Sequence, residues 1–287
     1  MTCIVNNGLH LHSDTVFIVY DLEAVGDART PAQCKIWNLA AIHYVSGAEY
    51  SVFVDPQSKE DEYPMPPHPD LFRVTKAFLK NKKARPFKTI GSEFFNWVTA
   101  FHVSTEAPVV LISHGNFMLD KPLLEYEFGR DGIALPHNWY FYDTLPWFRA
   151  QMRKEPSYSM KNLYKSVFME AIPQQHFALP DAQALYRLLK HTVSEDRTSL
   201  NRTLYGVYYP PYYTPLQRVK FLGTYNEMLL VQGGVQSVED LHMILLQHCN
   251  LDLSLMQRVL MNRFYIKEDS AYKISNSVLH MLLIPKP

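Results

Sequence analysis

The stretch Thr15–Ala24, TVFIVYDLEA, changes character at Asp21. Up to Tyr20 it is a run of β-branched, aliphatic and aromatic residues, the pattern of a short buried strand. It then ends in Asp21-Leu22-Glu23. On an extended chain, residues two apart point to the same face, so the two carboxylates converge beside the strand end. Paired oxygens there suit a hard divalent cation. A solvated turn or a helix cap explains the same pair, so the metal reading needs support from elsewhere in the chain.

Working outward, Lys35–Tyr44 (KIWNLAAIHY) and Glu49–Val54 read as the next two strands, with Ser46-Gly47 as the turn between them. Pro64, Pro66, Pro67 and Pro69 mark a loop. Apolar residues at Phe94, Phe95, Val98 and Phe101 predict a helix over Gly91–Phe101, with Ser92 as its N-cap. Val109–Ser113 reads as a buried strand, and Asp120–Phe128 and Pro180–His191 as helices. Antiparallel strands followed by strand–helix alternation predict a three-layer α/β domain over residues 1–194. Residues 195–217 are rich in tyrosine and proline and read as a stiff connector. From residue 218 to 287 a small helical domain is expected. Ser237 and Asp240 mark one helix start, followed by Leu241, Ile244, Leu245 and His248, and Leu251–Phe264 is a second amphipathic stretch.

Composition narrows the classes. Of the 287 residues, 47% are hydrophobic and 20% charged, and the 18 Tyr and 16 Phe argue against disorder. Lys plus Arg equals Asp plus Glu at 28 each, so any grip on a polyanion must come from a local patch or a bound metal. Lys76, Lys80, Lys82, Lys83, Arg85 and Lys88 form the one dense basic run, bordered by Phe72, Phe78 and Phe87. It reads equally as a phosphate track or as a solvated face anchored by buried Phe. Cys3, Cys34 and Cys249 have no metal or redox spacing and read as reduced thiols. His10 and His12 read as solvent-facing residues of a flexible N-terminus. The start lacks a basic and apolar secretory pattern, and no stretch is long and apolar enough for a bilayer. An intracellular protein, cytoplasmic or nuclear and without a membrane partner, is expected.

Two further segments bear on the Asp21/Glu23 pair. In Val109–Leu124, VVLISHGNFMLDKPLL, a strand runs through a glycine turn to Asp120, which opens a helix. Asp120 is either a ligand or a cap favoured by the helix dipole, and His114 can equally be a buried histidine bonded to nearby backbone. In Gln175–Leu189, QHFALPDAQALYRLL, His176 precedes Asp181 by five positions. Pro180 suggests a helix start, leaving His176 in the preceding loop and Asp181 in the first turn. Capping again accounts for Asp181 singly.

The three segments, taken in order, resemble the motifs of the DnaQ-like DEDDh exonucleases, the RNase T or three-prime repair exonuclease group. FIVYDLEAVG is similar to the first motif, LISHGNFMLDKPLL to the second, and HFALPDAQAL to the third, His-x4-Asp running into a helix. Tyr142-Asp143-Thr144-Leu145 matches a segment common between the second and third. The resemblance covers roughly residues 15–192. It implies an RNase H-like fold, a mixed central sheet flanked by helices, and a metal-dependent 3′→5′ exonuclease acting on single-stranded or frayed nucleic-acid ends. It implies two Mg²⁺ ions, with Mn²⁺ able to substitute, held by Asp21, Glu23, Asp120 and Asp181, with His176 as general base. Leu22, Ala24, His114 and Asn116 are candidate substrate contacts, joined by Lys82, Lys83 and Arg85 of the basic run. Ala24 departs from the family, which often has Thr there, so its nucleotide contact is the one placed in doubt. Asp143 is expected to be structural, capping a helix from Thr144.

Two alternatives stand beside this reading. One is an idle nucleic-acid-binding or scaffold protein that keeps the fold; loss of a carboxylate would mark it, and all four are present. The other is a proofreading or processing accessory in which residues 218–287 bind a protein partner or a second copy.

Overall fold

The computed structural model describes residues 14–26, 34–57, 74–102, 104–115, 119–152, 155–193, 216, 219–232, 234–235 and 237–283. They fall into two compact units, one within residues 4–211 and one within 212–287. His10, His12, Cys3, Phe72, Asn116, the four-proline loop and nearly all of the connector lie outside the described residues.

The first unit is built on a six-stranded sheet. Strands β1 (Val16–Val25), β2 (Lys35–His43) and β3 (Glu49–Asp55) form an antiparallel meander. The two-residue β4 (Arg85–Pro86) adds in parallel to β3. β5 (Val109–Ser113) lies parallel to β1, and β6 (Trp139–Asp143) parallel to β5. The order is therefore β4-β3-β2-β1-β5-β6. Val16 to Tyr20 are fully buried, as a central strand covered on both faces requires. The β2–β3 turn uses Gly47 at φ +71°, a left-handed conformation that glycine adopts without a Cβ penalty.

Helices cover both faces, giving the expected three-layer α/β architecture. Their ranges are α1 (Lys76–Asn81), α2 (Phe87–Thr99), α3 (Asp120–Arg130), α4 (Thr144–Gln151), α5 (Met160–Phe168) and α6 (Ala178–Val193). Val16, Ile18, Tyr20 and Leu22 share one core with Phe87, Ile90 and Phe94 of α2 and Leu124 and Phe128 of α3. Phe17 and Val19 face the other way, into a core with Leu185, Leu188 and Leu189 of α6. The two-residue period thus delivers Asp21 and Glu23 to the α6 side.

Some boundaries differ from expectation. The α2 helix starts at Phe87, so Ser92 is no N-cap; its hydroxyl donates to the Lys88 carbonyl instead. Gly91 lies inside this helix because a Cβ there would sit 3.1 Å from the Phe87 ring and 3.3 Å from Ile133. Similarly, α6 starts at Ala178, and Pro180 sits within its first turn, where a missing N–H costs nothing.

The second unit is helical. It contains α7 (Gly223–Gln232), α8 (Val238–Met243), which runs on as a π-helical turn to His248, α9 (Leu253–Phe264) and α10 (Glu268–Leu283). Ser237 and Asp240 form a reciprocal capping box at the start of α8, where the sequence placed a helix start. Leu241, Leu245, Met256, Leu260, Phe264, Ile274 and Val278 form its core. Cys34 and Cys249 are buried.

Candidate active site

β5 pairs with β1 only from Val16 to Val19, so β1 outruns its neighbour just before Asp21. A recess at the carboxyl ends of parallel strands is where open α/β sheets place ligands. Asp21 and Glu23 stand at that edge, partly buried. Between Glu23 and Ala24 the pairing with β2 shifts register, with Glu23 opposite Asn38 and Ala24 opposite Ile36.

Asp120 enters from the start of α3. It is only 4% exposed, and its Oδ2 accepts a 2.8 Å hydrogen bond from the buried Ser113 hydroxyl. The Leu22 backbone N–H also bonds its carboxylate, which fixes Asp120 against β1. Asp120 is therefore anchored across the sheet rather than serving as a free cap.

Asp181 enters from the first turn of α6. Its Oδ2 accepts the His176 backbone N–H at 2.9 Å, so the carboxylate organises the loop that carries the histidine. The other oxygen, Oδ1, is buried with no hydrogen-bond partner among the described residues. His176 itself sits at φ +72°, a left-handed conformation uncommon for a residue with a Cβ. Ligand atoms of Glu23, His176 and Asp181 all lie within 4.8 Å of one another.

The electrostatics of this cluster are adverse. Burial, and then the charges of Asp120, Glu23 and Asp181, hold Asp21 well above the usual carboxylate range. Burial, followed by Asp181 and Asp120, pushes Glu23 up to about 8. Burial pushes Asp120 to about 7, against the Ser113 hydrogen bond, and Asp181 to about 6, against the His176 N–H. Crowded carboxylates with a buried acceptor lacking a donor are what a cation relieves. Carboxylate oxygens fit a hard divalent ion such as Mg²⁺ or Mn²⁺.

Other residues hold this arrangement in place. The buried Asn38 side chain on β2 accepts from Ala178 N at 2.8 Å and donates to Val52 O at 2.8 Å, pinning the start of α6 to β2 and β3. Asp143 caps α4 through Leu145 N and also accepts Gly115 N, both at 2.8 Å. The capping expected of Asp143 is thus observed, together with a second bond to the turn before Asp120. Asn38 and Ser113 were not singled out from sequence. An asparagine inside an otherwise apolar strand was the available signal, since a buried amide must find partners.

The other candidate substrate contacts lie in different settings. The Leu22 side chain is 3% exposed and belongs to the core, because it alternates with the two carboxylates. His114 is committed to the fold: Nδ1 meets Thr144 Oγ1 at 2.9 Å and Nε2 meets Tyr158 O at 2.7 Å. These partners lie 30 and 44 residues away, not in the nearby backbone. Ala24 is half-buried against the same core as Leu22. Lys82, Lys83 and Arg85 are exposed at the end of α1 and on β4, outside the carboxylate cluster, and Arg85 is forked onto Glu93.

A mixed sheet of this order with acidic residues gathered beyond its central strand defines an α/β protein with a candidate cation site. The chain belongs to the Exonuclease family of the RNase T type, whose sequence profile matches residues 18–189. It is 34% identical over 101 residues to three prime repair exonuclease 2 of Mus musculus, an alignment covering 31% of this chain and 42% of that protein. Among solved structures, it is similar to the zinc-bound E. coli ExoI–ssDNA complex at 17% identity and a TM-score of 0.46, covering 62% of this chain and 41% of that one. For E. coli exonuclease I with a dT13 oligonucleotide the values are 16%, 0.48, 66% and 43%. The chain therefore spans about two fifths of the length of these relatives. Among the described residues, no helix is long and apolar enough to cross a membrane.

Proposed function

We propose that this chain is a divalent-cation-dependent 3′→5′ exonuclease that hydrolyses DNA or RNA from the 3′ end and releases 5′-mononucleotides. The observation that carries the reading is the convergence of Asp21, Glu23, Asp120 and Asp181, from three separate segments, on one recess beside His176. Asp21, Glu23, Asp120 and Asp181 would hold two ions, Mg²⁺ with Mn²⁺ as substitute. Such ions, when bound, polarise a phosphoryl group, lower the pKa of water and stabilise a leaving oxygen.

The protein's own groups supply the rest. His176 accepts the proton of the attacking water, a role suited to an imidazole that titrates near neutrality. Its loop is held by the Asp181 carboxylate through the backbone, so the base and one cation ligand are positioned together. Asn38 keeps the start of α6 against the strand that carries Glu23. Bound cations would offset the charge of the ionised carboxylates toward a phosphodiester, so substrate and cation binding are coupled.

The test is incubation of end-labelled DNA and RNA oligonucleotides with and without Mg²⁺. A ladder shortening from the 3′ end, 5′-mononucleotide products, and a block by a 3′-phosphate are expected. Cleavage of a closed single-stranded circle, or full activity in EDTA, overturns the assignment.

A further inference from the structure

We propose that Phe177 is a positioning residue for the reaction: its ring, held in an aromatic clamp on β2 and β3, sets where the His176 imidazole stands. This rests on the exonuclease reading above, which makes His176 the base. His176 and Gln174 have φ of +72° and +49°. Residues with a Cβ seldom take these left-handed values, and keep them only where their surroundings impose them. The shape of the loop is therefore set by what grips it.

The grips fall on successive residues. The His176 N–H is held by the Asp181 carboxylate at 2.9 Å, and the Ala178 N–H by Asn38 at 2.8 Å. Between them, the Phe177 carbonyl accepts the Asp181 N–H at 3.2 Å. The Phe177 ring lies edge-on to Trp37 and Phe53, at 5.7 and 6.4 Å between centroids, and tilted against Phe78 at 6.5 Å. Trp37 is itself buried and stacked on Phe53. Aromatic contacts of this kind favour particular ring angles, so they fix orientation as well as burying area. The neighbouring His176 ring turns to the carboxylates, with a ligand atom within 4.8 Å of those of Glu23 and Asp181.

The clamp exists because β2 carries a bulge. Glu23 pairs with Asn38 and Ala24 with Ile36, which leaves Trp37 as an extra residue. Ile36 and Leu39, three apart, share one core, whereas an unbroken strand puts residues an even number apart on one face. The bulge re-aims Trp37, so that it and Asn38 both meet the loop. Trp37 takes the Phe177 ring and Asn38 takes the Ala178 N–H. This irregularity stands opposite Glu23, so the loop of the base and a proposed cation ligand take their positions from one kink.

The experiment uses the full chain and measures kcat and KM for a 5′-fluorescein single-stranded 12-mer in Mg²⁺. Phe177→Ala should lower kcat about 10–100-fold, the cost of misplacing a reacting group, with KM within about threefold of wild type. Phe177→Leu, which keeps most of the apolar bulk, should fall between, and Phe177→Tyr, which keeps the ring, should match wild type. In a His176→Ala background, Phe177→Ala should cost nothing more, because it acts through the imidazole. Hydrogen exchange in EDTA supplies a readout apart from activity. Residues 175–178 should exchange roughly tenfold faster in Phe177→Ala, with residues 184–189 as protected as in wild type. A wild-type kcat in Phe177→Ala, a further loss in the His176→Ala background, or unchanged exchange at 175–178 each overturns the clamp. So does lost protection throughout α6 in both the Ala and Leu variants, which would make Phe177 a packing residue. A wild type that leaves the 12-mer uncut, with exchange still faster in Phe177→Ala, sinks the exonuclease reading and keeps the clamp on His176.

Discussion

Asp181 divides its two oxygens between different tasks, one fixing the His176 backbone and one buried without a donor. The division makes the histidine and the carboxylate separable by mutation. His176→Ala leaves the carboxylates and the backbone N–H in place, so cation binding should persist while the hydrolysis rate falls about 10²–10⁴-fold, the share of a general base. The pH–rate profile should lose its limb near neutrality. A wild-type rate in that variant assigns the proton to another group. Asp21→Ala, Glu23→Ala, Asp120→Ala or Asp181→Ala removes a proposed cation ligand. A loss of about 4 kcal/mol of transition-state stabilisation, roughly a thousandfold, is expected with the fold kept. Rates with Mg²⁺ and circular dichroism check both halves of that expectation.

Among the elements, β1 and α6 matter most, and Asn38 couples them. Its amide bridges Val52 O on β3 and Ala178 N at the start of α6, over 140 residues of sequence in the second case. Asn38→Ala leaves the buried Ala178 N–H and the part-buried Val52 carbonyl without that partner. At about 1–3 kcal/mol for each unmade bond, a stability loss of roughly 2–6 kcal/mol follows. Because the loop carrying His176 enters α6 at this point, kcat should fall beyond what the fraction folded explains. Urea unfolding alongside single-turnover rates measures the two separately. A variant with reduced stability but a wild-type rate per folded molecule would confine Asn38 to packing. The same contact explains why α6 starts at Ala178, ahead of Pro180: an asparagine distant in sequence caps it.

For the molecule as a whole, the carboxylate cluster ties stability to pH and to cations. In the folded state Glu23, Asp120 and Asp181 titrate near 8, 7 and 6, and Asp21 is raised as well, all above their ordinary values near 4. Between about pH 4 and 8 the folded chain therefore binds more protons than the unfolded one. The contribution of these groups to stability falls as pH rises through that window and levels off once all four carboxyls are ionised. In EDTA, Tm should drop from pH 5 to pH 8, with a shallower slope in Glu23→Gln. Mg²⁺ should raise Tm more at pH 8 than at pH 5, since a cation needs ionised ligands. An EDTA profile as steep in the variant as in wild type removes the cluster as the cause. The division into two compact units has its own consequence. A chain ending at residue 215 keeps all five site residues and should still hydrolyse short oligonucleotides. If it folds and binds cation yet cuts nothing, residues 218–287 contribute to the reaction and are more than a binding module.

What the sequence by itself determined is what repeats along the chain. The strand through Tyr20, the shared face of Asp21 and Glu23, the Ser237 capping box and the placement of His176 one turn ahead of Asp181 all follow from local backbone periods and caps. The three ordered motifs added the family, because chemistry of that kind is spread over short segments that each remain recognisable. Only the tertiary structure decided which side chains were left over for function. Leu22 went to the core because its neighbours took the other face of β1. His114 spent both ring nitrogens on Thr144 and Tyr158, 30 and 44 residues away. Asn38 and Ser113 acquired their roles from partners brought close by chain crossing. A buried polar group must find a partner, but burial and partner are both set by segments far away in sequence, which no local period encodes.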